Sequence, residues 1–225
     1  MSNQIYANVD VVNFCFHENA LKVVLWKRNK EPFVGELALP GLTMNANVEG
    51  DIIQDALDRV FNERLKVKPV FLDQVYSVSN KKRDERGASL SVVYMSISIL
   101  GEELDSSLEA VSYVDIESGK VELPFDHNEI VTIAKERLVG KSTYSSLPIL
   151  LLPQNSFTIS ELTSAYRASV WDGVQEITVR KRVEFLQRQG DIQLIGEQTG
   201  GKGRRKMIYS HNGTVHKFDR SILAK

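Results

Sequence analysis

The segment from residue 157 to residue 210 constrains the fold most, because its pattern predicts two short helices followed by a hairpin. Thr158-Ile-Ser-Glu161 fits a capping box, in which the threonine hydroxyl and the glutamate carboxylate each bind a free backbone N–H at a helix start. Phe157 and Leu162 stand where a hydrophobic staple would place them. A helix is therefore predicted to begin at this point and to end at Trp171-Asp-Gly173.

A second helix is predicted over Val179–Gln189, with Thr178 as its cap and Gly190 at its end. Its apolar residues recur at helical spacing, so its cations fall on or beside the outer face. Two helices joined by a turn, with cations near the start of the second, are typical of helix-turn-helix proteins, whose second helix enters the major groove of DNA. The residues of this helix predicted to contact DNA are Thr178, Arg180, Lys181 and Arg182.

Two β-rich runs, Ile192–Glu197 and Met207–Ser210, flank a basic loop with three glycines and predict a hairpin. Glycines allow the backbone to approach a duplex closely, and the cations would bind phosphates or the minor groove. The cations predicted to do so are Lys202, Arg204, Arg205 and Lys206. We therefore predict a winged helix that binds double-stranded DNA, with RNA or a protein as the alternative partner.

The charge distribution supports this division of the chain. The formal net charge is −1, yet residues 1–140 hold 15 Lys and Arg against 22 Asp and Glu, whereas residues 141–225 hold 13 against 7. A basic C-terminal part is suited to a polyanionic partner.

Residues 1–140 alternate strand and helix patterns and predict an α+β domain. The segment 141–156 is expected to connect this domain to the C-terminal domain, residues 157–225. Asp51 is the expected N-cap of a helix, and Gly140 the expected end of another. The predicted strands are Val9–Phe16, Leu21–Lys27, Val70–Ser79, Ala88–Leu100 and Val111–Ile116; the predicted helices are Asp51–Leu65 and the stretch from Phe125 to Gly140.

Leu39-Pro-Gly41 and Arg59–Val67 resemble the two ends of the Nudix box, Gly-x5-Glu-x7-Arg-Glu-U-x-Glu-Glu-x-Gly-U, whose glutamates hold Mg²⁺ for diphosphate hydrolysis. In that frame the box glycine and first glutamate fall on Asn45 and Asp51, and the helical glutamates and last glycine fall on Val60, Glu63, Arg64 and Lys66. One helical carboxylate beside an arginine is a poor cage for a divalent ion. We therefore expect no hydrolysis, no metal site and no cofactor, and we assign Glu63 to an ion pair with Arg59.

The chain as a whole resembles the Nudix-related transcriptional regulators of the NrtR type. The resemblance rests on the order of the two domains and on Arg83-Asp-Glu-Arg-Gly87, Pro124-Phe-Asp-His127 and Val179-Arg-Lys-Arg-Val183. It implies a Nudix-type α/β/α sandwich followed by a winged helix-turn-helix domain, in a homodimeric repressor whose Nudix domain senses ADP-ribose or a related product of NAD metabolism. Some members of the family respond to sugars instead, so the effector, the operator and the regulated genes stay open.

A pocket that has lost its metal ligands can still hold a diphosphate if cations or backbone donors meet the phosphates. The predicted effector-binding residues are Arg28, Arg83 and Arg86 for the diphosphate or ribose, Asp84 to orient them, and Phe125 and His127 at the pocket edge. Their alternative role is that of ordinary exposed charges and a helix start.

No window approaches the ~18 uninterrupted apolar residues of a membrane span, and the start of the chain lacks a secretory pattern, so we predict a cytoplasmic protein. Cys15 lies in an apolar alternation and is expected to be a buried, reduced thiol. Two alternatives come from other classes: a divergent Nudix hydrolase of nucleoside diphosphate derivatives, and an adaptor that binds RNA or protein.

Overall fold

The computed structural model describes residues 5–48, 50–80, 83–99, 106–170, 173–198 and 205–223. The chain divides into two compact units: Met1–Cys15 with Lys22–Lys135, and Phe16–Leu21 with Glu136–Lys225. Residues 141–156, predicted to connect two domains, thus belong to the second unit. Lys202 and Arg204 lie outside the described residues.

The first unit is organised around a mixed sheet, to which the described residues contribute seven strands in the path β3-β2-β1-β6-β5, with β4 on β1 and β7 on β2. The central strands β1 and β6 are parallel, and the other pairs with a recorded register are antiparallel. The strands are β1 Tyr6–His17, β2 Ala20–Lys27, β3 Leu37–Ala38, β4 Gly41–Thr43, β5 Phe71–Asn80, β6 Ser89–Ile97 and β7 Leu108–Ser112.

The helix predicted after residue 50 forms as helix α1, Ile52–Arg59, and continues as a π-helical turn, Val60–Leu65. Asp51 caps it, because one carboxylate oxygen accepts hydrogen bonds from the backbone N–H groups of Ile53 and Gln54 at 2.9 and 3.2 Å. The apolar face of α1 and the turn packs against Val9, Val11 and other residues of the sheet. Cys15 is buried in the same cluster, as predicted.

Two predicted boundaries are wrong. The predicted strand Val111–Ile116 is split, because β7 ends at Ser112 and a short helix α2, Tyr113–Glu117, follows. The helix buries Tyr113 and Ile116 at a spacing of three and leaves Val114 67% exposed, a combination that a strand cannot achieve. Helix α3, His127–Thr143, runs through Gly140 instead of ending there; its extension buries Ser142 fully, and a glycine within a helix costs only about 1 kcal/mol.

The second unit contains the predicted helix pair and hairpin. Its elements are a 3₁₀ helix Leu147–Leu151, α4 Ile159–Ser169, α5 Glu176–Gln189, β8 Ile192–Gln198 and β9 Lys206–His211. The capping box is confirmed: Glu161 N–H donates to the Thr158 hydroxyl at 3.2 Å, and Thr158 N–H donates to the Glu161 carboxylate at 2.7 Å. β8 and β9 pair antiparallel, and Phe157 bridges to Tyr209 on the second of them.

The predicted cap of the second helix is wrong. Helix α5 begins at Glu176, its N-cap residue is Gln175, and Thr178 lies inside its first turn. Glu176 suits this earlier start, because its negative charge lies at the positive end of the helix and meets Arg180 one turn later.

No helix within the described ranges is long and apolar enough to cross a membrane.

Candidate functional site

A cavity of about 310 Å³ opens in the first unit. It lies beside β1, β2 and the start of α3, where the loops before β4 and after β5 meet. All six residues predicted to bind an effector line it: Arg28, Arg83, Asp84, Arg86, Phe125 and His127. The fold therefore brings together side chains that are up to 99 positions apart in the sequence.

Arg83 is the most firmly held cation of the cavity. Its guanidinium donates to both carboxylate oxygens of Asp126 at 2.8 and 2.7 Å, and to Asp10 at 3.4 Å. Its side chain is only 7% exposed. Burial opposes the charge, but the hydrogen bonds to Asp126 and Asp10 and the negative charges of these two acids together outweigh it, so the pKa of Arg83 is raised. Arg83 is thus fixed in its charged form.

Asp84 was predicted to orient the arginines of the cavity; in the structure it holds Arg86, whereas Arg83 is held by Asp126 and Asp10. The Arg86 guanidinium donates to Asp84 at 2.9 and 2.6 Å, and the Arg86 backbone N–H binds the same carboxylate. These hydrogen bonds lower the pKa of Asp84. The guanidinium also lies 5.3 Å from the ring centroid of Tyr6.

Arg28 has no carboxylate partner among the described residues. Its Nε donates to the Pro32 carbonyl at 2.7 Å, and its guanidinium carbon lies 5.0 Å from the ring centroid of Phe125. Burial, and then the nearby charge of Arg86, lower the pKa of Arg28. Phe125 adopts a left-handed backbone with φ of 61°, which is costly for a residue with a side chain. Such strain is found at ligand sites, where surrounding contacts hold it.

His127 lines the cavity as a buried, neutral imidazole. It is 4% exposed, and its Nδ1 accepts a hydrogen bond from the Leu39 backbone N–H at 3.1 Å. An accepting Nδ1 requires the proton on Nε2. Burial lowers the pKa of His127 below its ordinary value of 6.5.

We expect His127 to make the folded protein less stable as the pH falls below that value. The unfolded chain then binds a proton that the folded protein excludes, so stability is present above the unfolded pKa and is lost on acidification towards the folded pKa. His127→Gln should reduce the loss, since a side-chain oxygen can still accept from Leu39. Urea unfolding of the wild type and of the variant at about pH 7.5 and about pH 5.5 measures how much unfolding free energy each loses on acidification; equal losses in the two proteins would show that His127 is not the cause.

Sequence reasoning did not assign several other residues that line the cavity, among them Asp10, Trp26 and Arg64. Asp10 is 8% exposed, binds Arg83, and accepts from the Ser91 hydroxyl at 2.6 Å. Its one signal in the sequence is a carboxylate within an apolar alternating strand. Gly41 faces it, and a Cβ at Gly41 would come within 2.4 Å of the Asp10 carboxylate oxygen. Glycine is therefore required there for close approach.

The residues at the box positions do not fit a divalent ion. Val60 is fully buried, and the Glu63 carboxylate accepts from Arg59 at 3.1 Å, the ion pair that the sequence predicted. Asp51 is used as the helix cap. Lys66 adopts a left-handed backbone with φ of 51°, as expected at a position that is glycine in the box. Within the described ranges, no three His, Cys, Asp or Glu side chains are grouped as metal ligands.

The residues of α5 that were predicted to contact DNA differ in how far their side chains are exposed. Arg180 and Lys181 are exposed, with Arg180 paired to Glu176 at 2.9 Å in the same helix. Thr178 is half-buried in the first turn. In the hairpin, Arg205 is 73% exposed and pairs with Glu197 at 3.2 Å, and Lys206 at the start of β9 is exposed.

The structure corrects the prediction for Arg182, which is 7% exposed and points into the second unit. Its guanidinium donates to the carbonyl groups of Ser145, Thr143 and Arg220 at 3.0, 3.0 and 3.1 Å. It also lies 4.2 Å from the ring centroid of Phe218. These contacts occupy the guanidinium, so Arg182 holds the second unit together instead of facing a duplex.

Comparisons with known proteins give relatives for both units, although no family model matches the chain. The transcriptional repressor NtrR of Acinetobacter baylyi, described as ADPR responsive, is 30% identical over 179 residues, which span 78% of this chain and 70% of the repressor. An ADP-ribose pyrophosphatase of Methanocaldococcus jannaschii is 30% identical over 112 residues, 49% of this chain and 63% of that enzyme.

Solved structures of NrtR from Shewanella oneidensis are also similar. The complex with a 27mer DNA superposes with a TM-score of 0.80 at 27% identity, over 96% of this chain and 98% of that one. The NUDIX domain complexed with ADP ribose matches with a TM-score of 0.53 at 29% identity, over 61% of this chain and 90% of that one. These similarities confirm the predicted fold class.

Proposed function

Since the chain belongs to the NrtR family of Nudix-related transcriptional regulators, we propose that it represses transcription by binding an operator in duplex DNA and that a nucleotide related to ADP-ribose controls this binding. It acts on DNA as a homodimer in the cytoplasm, with one recognition helix for each half-site. Genes of NAD metabolism are the targets that the family suggests.

The observation that carries the effector part of the proposal is the charge of the cavity. Arg28, Arg83 and Arg86 line it together with further cations, and aromatic rings lie beside two of these guanidinium groups. Guanidinium groups bind phosphates through charge-assisted hydrogen bonds, and a ring at the edge offers a surface for a base or ribose. A nucleoside diphosphate fits this chemistry better than a neutral sugar.

The DNA part of the proposal is supported by exposed cations on two elements of the second unit. Arg180 and Lys181 lie in the first half of α5, the position from which a recognition helix contacts base edges. Arg205 and Lys206 lie at the end of the β8–β9 hairpin, which is suited to phosphate contacts.

Hydrolysis is not part of the proposed function, because Val60 and Arg64 stand in place of metal-binding carboxylates. The similarity to an ADP-ribose pyrophosphatase makes a divergent hydrolase the second candidate. That candidate requires Mg²⁺-dependent turnover of ADP-ribose that Glu63→Gln abolishes; we expect no turnover in either protein.

The test of DNA binding is fluorescence anisotropy with the region upstream of the protein's own gene and a random duplex. Arg180→Ala or Lys181→Ala should reduce discrimination between the two by about 1–3 kcal/mol, whereas Arg205→Ala or Lys206→Ala should weaken both and lower the salt slope by about 1. Arg188→Ala removes the same charge from the far end of α5 and serves as the control. Equal affinity of the wild type for both duplexes would refute operator recognition.

The effector is tested in the same assay and by thermal unfolding. ADP-ribose, NAD, NMN and simple sugars are added in turn; a ligand of the folded state stabilises it by about 2.7 kcal/mol at a concentration of 100 times its Kd. We expect ADP-ribose to raise the melting temperature and to change operator affinity. A shift caused by a sugar alone would reassign the effector, and a shift without any effect on the operator would refute regulation.

A further inference from the structure

Arg64 occupies the place of a metal-binding glutamate in the Nudix box, and its partly buried side chain lines the cavity. The π-helical turn Val60–Leu65 carries it there. Its guanidinium carbon lies 4.7 Å from the ring centroid of Trp26, at the end of β2. The aromatic face thus supports the guanidinium from one side, an arrangement that is favourable for a cation.

The charge of Arg64 is less compensated than that of its neighbours. Arg83 is bound by Asp126, Arg86 by Asp84 and Arg59 by Glu63. Arg64, by contrast, makes no ion pair with any residue in the described part of the chain, and its Nε is shut off from solvent without a hydrogen-bond partner. The pKa of Arg64 is lowered, because the effect of burial outweighs the opposing effect of the nearby Glu63 carboxylate.

A partly buried, unpaired cation is costly unless an anion meets it. The cavity already contains Arg28, which donates to backbone carbonyls and has no carboxylate partner among the described residues. Two uncompensated guanidinium groups in one cavity match the oxygen atoms of a diphosphate, which a guanidinium fork can bind in pairs.

We propose that Arg64 replaces the divalent ion of the Nudix site, so that the cavity binds the diphosphate of a nucleotide directly and without a metal. This inference rests on the proposed function and deepens it. A Nudix hydrolase needs a cation to join its carboxylates to the phosphates of the substrate. Here the chain itself carries that cation, at a position that is a glutamate in the Nudix box, and the one helical box carboxylate that remains, Glu63, is paired with Arg59.

The first experiment measures the binding of ADP-ribose and of inorganic pyrophosphate to the full chain by titration calorimetry, once with EDTA and once with excess Mg²⁺. We expect Kd values for ADP-ribose that agree within about 3-fold, because metal is not part of the site. A wild-type protein that binds ADP-ribose only with Mg²⁺ would overturn the inference.

The second experiment compares variants under EDTA. Arg64→Gln should weaken both probes about 10- to 100-fold, the value of a charge-assisted hydrogen bond, and Arg64→Lys should weaken them less. Lys66→Gly is the matched control, because it removes one positive charge two residues away on an exposed side chain and places glycine at a left-handed backbone position. It should change Kd by less than about 3-fold.

The two probes separate this inference from the proposed effector. If ADP-ribose binds and Arg64→Gln binds it as the wild type does, the role of Arg64 is refuted while the effector stands. If only pyrophosphate binds, without metal and through Arg64, the inference stands while ADP-ribose is refuted. Binding of neither probe refutes both. Should Arg64→Gln fail to fold, Arg64→Lys and the metal dependence of the wild type still decide.

Discussion

Arg83→Met is expected to lower the free energy of unfolding of the first unit by about 3–5 kcal/mol, the usual cost of removing one partner from a buried ion pair. The substitution preserves much of the side-chain volume but leaves the carboxylates of Asp126 and Asp10 without their shared cation. Both acids are mostly shielded from water, with side chains 18% and 11% exposed. Urea unfolding at neutral pH measures the change.

A double-mutant cycle with Asp126→Asn isolates the pair. The substitution turns the carboxylate into a neutral amide, so the double variant should be more stable than the sum of the two single effects predicts, by about 1–3 kcal/mol. Arg59→Ala is the control, since its pair with Glu63 is exposed and should contribute no more than about 1 kcal/mol. Additive effects of Arg83→Met and Asp126→Asn would show that the two groups are not coupled.

Arg182→Ala is expected to destabilise the second unit by about 3 kcal/mol. It removes a charged donor from the carbonyl groups of Thr143, Ser145 and Arg220, and those of Thr143 and Arg220 depend on the same guanidinium nitrogen. It also leaves a void beside the rings of Tyr166 and Phe218. Thermal and urea unfolding of the full chain report the loss.

Arg180→Ala is the matched control, because it removes the same side chain from the same helix two residues earlier. Arg180 is 44% exposed and, among the described residues, pairs with Glu176 alone, so its loss should cost no more than about 0.5 kcal/mol. The two variants should therefore separate stability from recognition: Arg182→Ala affects the melting temperature, and Arg180→Ala affects operator discrimination. A stable Arg182→Ala protein with lost discrimination would return Arg182 to the DNA-contacting residues.

The local signals in the sequence were sufficient for most helices and strands. Asp51 and Thr158 cap the helices that were predicted from them, because a cap needs only backbone N–H groups two or three residues away. The core-facing residues Val179, Val183 and Leu186 follow from helical periodicity alone. Several starts of the second C-terminal helix were compatible with the pattern, and the one predicted, with Thr178 as the cap, was wrong because the helix begins at Glu176.

The replacement of box carboxylates at Val60 and Arg64 was also determined by the sequence, and with it the expectation that this family member does not hydrolyse its ligand. Five of the six effector candidates were proposed from motifs and Arg28 from its place after the second predicted strand, and the fold places all six around one cavity. Their role in binding stays a prediction.

Only the tertiary structure decided which charged side chains are exposed and which are already bound to other groups of the protein. Arg180 and Arg182 look alike in the sequence, yet one is exposed and the other is bound to three carbonyl groups 37 to 39 residues away. The sequence showed only that Arg64 replaces a metal ligand, whereas the fold places its guanidinium group over the Trp26 ring at the cavity. The physical reason is that caps and helical stripes arise from neighbours in the chain, whereas the compensation of a charge depends on groups that the fold brings from elsewhere.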